Sequence, residues 1–185
     1  MASADGSRRV EIDDAYLGDE IQGAKAGRGS PNKVPFAAAV QTTESGQPVF
    51  MCLSLRPFTK ESISAFAEQS LAAPGTLLTD GLACSTALQG KGMVHEVQVT
   101  GGGVASAKHP GTQAVNTVLG NLKTALAGTH HAFGFSKYGR HSLGQVQYLC
   151  NRRFDLRTIL QRLGRTAAQA APCPLRAIRA AESSC

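Results

Sequence analysis

The chain has 185 residues, 42% of them apolar, which is enough for one domain with a real core. No apolar run approaches the about 18 residues that cross a bilayer, and the opening MASADGSRRV lacks the apolar middle of a secretory signal; five scattered cysteines without a C-x-x-C pair argue against a disulfide scaffold or a zinc ribbon, so a cytoplasmic protein is expected. The net charge of +6 is divided unevenly, with 8 basic and 11 acidic side chains in residues 1–100 against 11 and 2 in residues 101–185, a balance suited to phosphates bound by one half and a metal-binding carboxylate cluster in the other, although a solvated basic face would read the same way.

Residues 8–17, RRVEIDDAYL, alternate Val10 and Ile12 with Glu11 and Asp13 and predict a strand that carries acids at its end. The turn-rich, partly basic GDEIQGAKAGRGSPNK follows. VPFAAAVQTT and PVFMCLSLRP read as two more strands, joined as a hairpin across ESGQ. Thr59 opens a helix over KESISAFAEQSLA, in which Ile63, Phe66, Ala67 and Leu71 recur at helical spacing, and Pro74-Gly75 ends it. TLLTDGL is a short buried-type strand running into Asp80-Gly81, with a brief helical piece near ACSTALQ after it. VHEVQVT predicts a fifth strand before Gly101-Gly102-Gly103.

The stretch AVNTVLGNLK and its continuation predict a helix, because Val115, Val118, Leu119, Leu122 and Leu126 fall within roughly a 100° arc. Asn116 and Lys123, seven residues apart, look out over one margin of that stripe about 10 Å apart along the axis, with Gly120 on the same margin. A further helix is expected through KYGRHSLGQVQYLCNRR, weakened by its two glycines. After Leu163 the chain turns to alanine, arginine, Pro172 and Pro174, which reads as an Ala/Arg-rich, disordered tail over 164–185 behind a domain of 1–163. Hairpin strands followed by alternating helices and strands make this an α/β arrangement, a mixed sheet flanked by helices.

Three places end a strand or edge a helix with oxygens that suit a metal: Asp13 or Asp14, Asp80, and Asn116. Phosphodiester chemistry at paired divalent ions needs two or three such oxygens from separate elements, since Mg²⁺ keeps water and substrate oxygens in its shell. Lys123 could reach a substrate phosphate as a mobile point charge. Blander readings stand beside these: Asp80-Gly81 is also a common turn, Asp13-Asp14 also a solvated strand end, and Asn116 and Lys123 also ordinary boundary residues. Asn151-Arg152-Arg153 could hold phosphates or cap a helix C-terminus. Of the five histidines only His95 is a site candidate, and Cys84 has no histidine partner in sequence that would make it a nucleophile.

The blocks VEIDDAYLG, GRGSPNK, TDGLACSTAL, TGGG, VNTVLGNLKTALAGTHHAF and CNRRFDL, in that order, resemble the bacterial insertion-sequence transposases of the ISXO type over roughly residues 9–163. The resemblance implies a ribonuclease H-like catalytic domain around a mixed five-stranded sheet. It also implies a catalytic set of Asp13, Asp80 and Asn116 as metal ligands with Lys123, and two Mg²⁺ or Mn²⁺ ions. The implied function is hydrolysis and strand transfer at insertion-sequence ends, with terminal-repeat and target DNA as partners and a homo-oligomer assembled on DNA in the nucleoid. Arg140, Arg152, Arg153 and Arg157 are then the expected DNA contacts. The chain departs from the family pattern in two places: Ala114 stands where WVNT has tryptophan, and Cys150 where FNRR has phenylalanine. Family members also carry an N-terminal zinc-binding, DNA-recognition region, so the chain is expected to be a truncated catalytic domain. A non-catalytic DNA-binding remnant that modulates a full-length transposase is the competing expectation, and a nuclease acting on RNA–DNA hybrids a third.

Overall fold

The computed structural model describes residues 8–18, 30–72, 74–81, 83–88, 92–98, 109, 111–129, 134–172 and 174–176. Strands β1 (Arg9–Leu17), β2 (Val34–Thr42) and β3 (Pro48–Leu55) are followed by helix α1 (Lys60–Ser70), strand β4 (Thr76–Thr79), a 3₁₀ turn over Ala83–Leu88 and strand β5 (Val94–Val97). Helices α2 (Gln113–Thr129), α3 (Phe135–Asn151) and α4 (Arg157–Gln169) complete the described chain. The strands form one sheet in the order β3-β2-β1-β4-β5. The β1–β2 and β2–β3 pairs are antiparallel, as the hairpin reading expected, whereas β1–β4 and β4–β5 are parallel. This is the mixed five-stranded α/β sheet expected from the sequence, and it is compatible with a ribonuclease H-like fold.

Both faces of the sheet's central strands are covered, which the side-chain alternation makes explicit. Ala15 and Leu17 of β1 with Phe36, Ala38 and Val40 of β2 pack against Val115, Val118, Leu119, Leu122 and Leu126 of α2 and Leu143 of α3. On the opposite face, Val10 and Ile12 with Ala37 and Ala39 meet Ile63, Phe66 and Ala67 of α1 and Cys84 and Leu88 of the 3₁₀ turn. A central strand buried on two sides reads as a continuous apolar run, which explains FAAAV in β2. Thr59 caps α1 by accepting the Ser62 N–H at 3.2 Å.

Gly139 sits inside α3 because the helix presses on the sheet there: a Cβ at that position would lie 2.9 Å from Leu17 Cδ1 and 3.4 Å from Leu55 Cδ1. Two further side chains of α3 close the exposed edge of β3. Asn151 Oδ1 accepts the Met51 N–H at 2.8 Å while its Nδ2 donates to the Met51 carbonyl at 2.9 Å, and Gln147 Oε1 accepts the Leu53 N–H at 2.7 Å. Backbone groups that would otherwise template another strand are thereby satisfied.

Helix α4 runs on past Leu163 to Gln169, through residues the sequence placed at the start of a tail, and none of its residues is buried. Alanine is the best helix former, which accounts for the extension through Thr166, Ala167 and Ala168. Among the described residues no helix is long and apolar enough to cross a membrane. The Gly101–Gly103 loop, His130, His131, Cys173, Cys185 and the end of the expected tail lie outside the described residues.

Candidate metal centre

The parallel pairing of β1 with β4 aligns Arg9 with Thr76 and ends at Ile12 with Thr79. Asp80 directly follows the carboxyl end of β4, and Asp13 follows the last β4-paired residue of β1. The acids expected at the end of the first strand lie in its middle instead, because β1 continues to Leu17 against β2 after β4 has ended. Gly81 takes φ of 86°, a left-handed conformation that glycine adopts freely, so the chain turns away directly after Asp80. Asp13, Asp14 and Asp80, all half-buried, bring carboxylate oxygens within 4.8 Å of one another. Asp13 Oδ1 also accepts the backbone N–H of Asp14 at 2.8 Å. The three acids open on a cleft floored by Ile12 and Ile63 and walled by Thr79, Cys84 and Ser85.

A polar network backs this cleft. The buried Thr79 hydroxyl lies 2.9 Å from His95 Nε2 and donates to Ser85 Oγ at 3.3 Å. Burial holds the His95 imidazole below its ordinary pKa, so the ring is biased toward the neutral form. His95 therefore touches the residue before Asp80, not the acids as a ligand.

Asn116 lies in the first turn of α2, half-buried, and its Nδ2 donates to the Thr112 carbonyl at 2.9 Å. Lys123 is exposed two turns further on, and an added side chain at Gly120 would meet nothing within 4 Å. Of the expected set, the two aspartates gather with Asp14 in one tight group, while the amide and the lysine sit on the margin of the helix that packs over β1.

The expected DNA-contacting arginines divide into two kinds. Arg140 and Arg157 are exposed. Arg152 is half-buried, its guanidinium 4.0 Å from the Tyr148 ring centroid, and Arg153 donates to the carbonyls of Cys150 and Pro48. The asparagine of CNRR likewise serves β3, so much of that block is spent on holding α3 to the sheet edge.

One residue of the site region escaped the sequence reading. Glu11 alternates with Val10 and Ile12 and looks like a solvent-facing strand residue, yet it is 1% exposed. Its Oε2 accepts the Val115 N–H at 2.9 Å. Burial raises its pKa above the ordinary carboxyl value, opposed by hydrogen bonds from the Val115 and Ala114 backbone and by the nearby Arg9 charge. The available signal was the FAAAV run: a neighbouring strand buried on both faces indicates that the adjoining part of β1 is covered on both faces as well.

Residues 4–151 match the family model described as the ISXO2-like transposase domain, and the chain belongs to that family. No curated protein and no solved structure matches it.

Proposed function

We propose that this member of the ISXO2-like transposase family is the catalytic domain of a DNA transposase that carries out hydrolysis and strand transfer at insertion-sequence ends. The observation that carries the reading is the convergence of Asp13, Asp14 and Asp80 within 4.8 Å just past the point where the parallel β1–β4 pairing ends. Carboxylates held that close together favour a cation among them, and a divalent ion would satisfy several of their oxygens at once. An all-oxygen set of this size fits Mg²⁺ or Mn²⁺, which keep several positions for water and substrate. Asp13 and Asp80, with Asp14 beside them, would hold the ions, and Asn116 would add a neutral oxygen. When bound, a pair of such ions activates the attacking oxygen and stabilises the leaving oxygen of a phosphodiester.

The remaining roles belong to the chain's own cations. Lys123, exposed on the margin shared with Asn116, would hold a backbone phosphate of the cut strand. Arg140 and Arg157 would extend that grip along the duplex, and a second copy of the chain would serve the other end of the element, in the cytoplasm where the chromosome lies.

The test is Mg²⁺- or Mn²⁺-dependent nicking and strand transfer on terminal-repeat DNA. Wild type should cut and join, and Asp80→Ala should lose both, by at least a hundredfold if the aspartate acts as a ligand. Salt-sensitive DNA binding without cleavage, indifferent to Asp80→Ala, would replace the catalytic reading by that of a non-catalytic DNA-binding remnant.

A further inference from the structure

A carboxyl group buried in an apolar layer carries a desolvation cost that an alanine or leucine would not, so its presence calls for a specific bond. Glu11 has one. Its Oε2 accepts the N–H of Val115, in the first turn of α2, across 104 residues of chain. The first turn of any helix leaves its N–H groups without intrahelical acceptors, and here the acceptor comes from the middle of the sheet. Asn116 is the very next residue. Its Nδ2 donates to the Thr112 carbonyl at 2.9 Å, a bond that does not use the amide's acceptor oxygen. Glu11 and Asp13 point to the same face of β1, the face on which α2 packs, because strand side chains alternate and residues two apart share a side about 6.5 Å apart.

We infer that Glu11 is a positioning residue: it pins the first turn of α2 to β1 so that Asn116 offers its side-chain oxygen beside Asp13. The inference rests on the metal reading above and names how one of its ligands is held in place. Positioning contacts of this kind typically affect metal affinity by about tenfold or more.

The experiment combines Mn²⁺ titration of the full chain with amide hydrogen exchange of residues 113–118, for wild type, Glu11→Ala, Glu11→Gln, Asn116→Ala and the Glu11→Ala/Asn116→Ala double variant, with Asp80→Ala as the control. Glu11→Ala should speed exchange in the first turn of α2 and weaken Mn²⁺ binding about tenfold. Glu11→Gln, whose amide oxygen can still accept the Val115 N–H, should restore most of both and guards against a variant that merely fails to fold. The double variant should bind Mn²⁺ no more weakly than Asn116→Ala alone, since Glu11 acts through that residue. Losses that add in the double variant, unchanged exchange in Glu11→Ala, or a Glu11→Gln as impaired as Glu11→Ala would each overturn the inference while leaving the metal centre intact. Absence of any Asp80-dependent Mn²⁺ binding in wild type would instead bring down the metal reading, and the inference with it.

Discussion

Asn151 meets Met51 as a neighbouring strand would, accepting the backbone N–H at 2.8 Å and donating to the carbonyl at 2.9 Å. One side chain on the last turn of α3 thus replaces a missing strand at the β3 edge. Asn151→Ala should cost about 1–3 kcal/mol, because a part-buried donor and acceptor lose their partner together. The opened edge should also make the protein more prone to aggregate. Asn151→Asp should not rescue it, since a carboxylate would face the Met51 carbonyl. Urea unfolding with light scattering at the transition checks both effects, and a midpoint unchanged in Asn151→Ala would remove the edge-sealing role.

His95 gives the fold a pH dependence. Burial lowers its folded-state pKa, so between that value and about 6.5 the unfolded chain binds more protons than the native one. Stability from this group is therefore complete above about pH 6.5 and is lost as the pH falls through the window below it. The unfolding free energy of wild type should drop more steeply from pH 7 to pH 5 than that of His95→Gln. Parallel curves for the two proteins would show that the imidazole does not titrate differently on folding.

The arginines should separate into two phenotypes. Arg140→Ala and Arg157→Ala, both exposed, should weaken DNA binding and each reduce the salt dependence by about one unit of slope, with unfolding changed by less than about 0.5 kcal/mol. Arg153→Ala should instead cost about 1–3 kcal/mol of stability, because it gives up bonds to two backbone carbonyls. Arg152→Ala should lose the Tyr148 stacking, a contact worth about 0.5–1 kcal/mol. Fluorescence anisotropy across a salt series, paired with urea titration, resolves the two classes; four arginines behaving alike would contradict the structural division.

Much of the architecture could be read from local pattern because local physics decides it. The stripe from Val115 to Leu126 is buried as its spacing requires, and Asp13, Asp14 and Asp80 do come within 4.8 Å of one another. Glu11 was missed because its own strand, read alone, does not reveal that both its faces are covered; only the apolar run of the neighbouring β2 carries that signal. The duties of Gln147, Asn151 and Arg153 were hidden for another reason: their partners Leu53, Met51 and Pro48 lie about a hundred positions away, and side-chain chemistry alone fits a phosphate equally well. Helix α4 extends beyond the expected boundary at Leu163 because alanine-rich sequence is compositionally plain yet favours helix.

The β1–β4 register has a kinetic corollary. Asp13 and Asp80 become neighbours only once the parallel pair has closed through to Ile12 and Thr79, and parallel pairing between distant stretches of chain is intrinsically slow. The crowding of acids therefore requires this long-range pair to be in place. Capture of a divalent ion there would serve as a gauge of completed folding, distinguishing a finished sheet from one still frayed at that end.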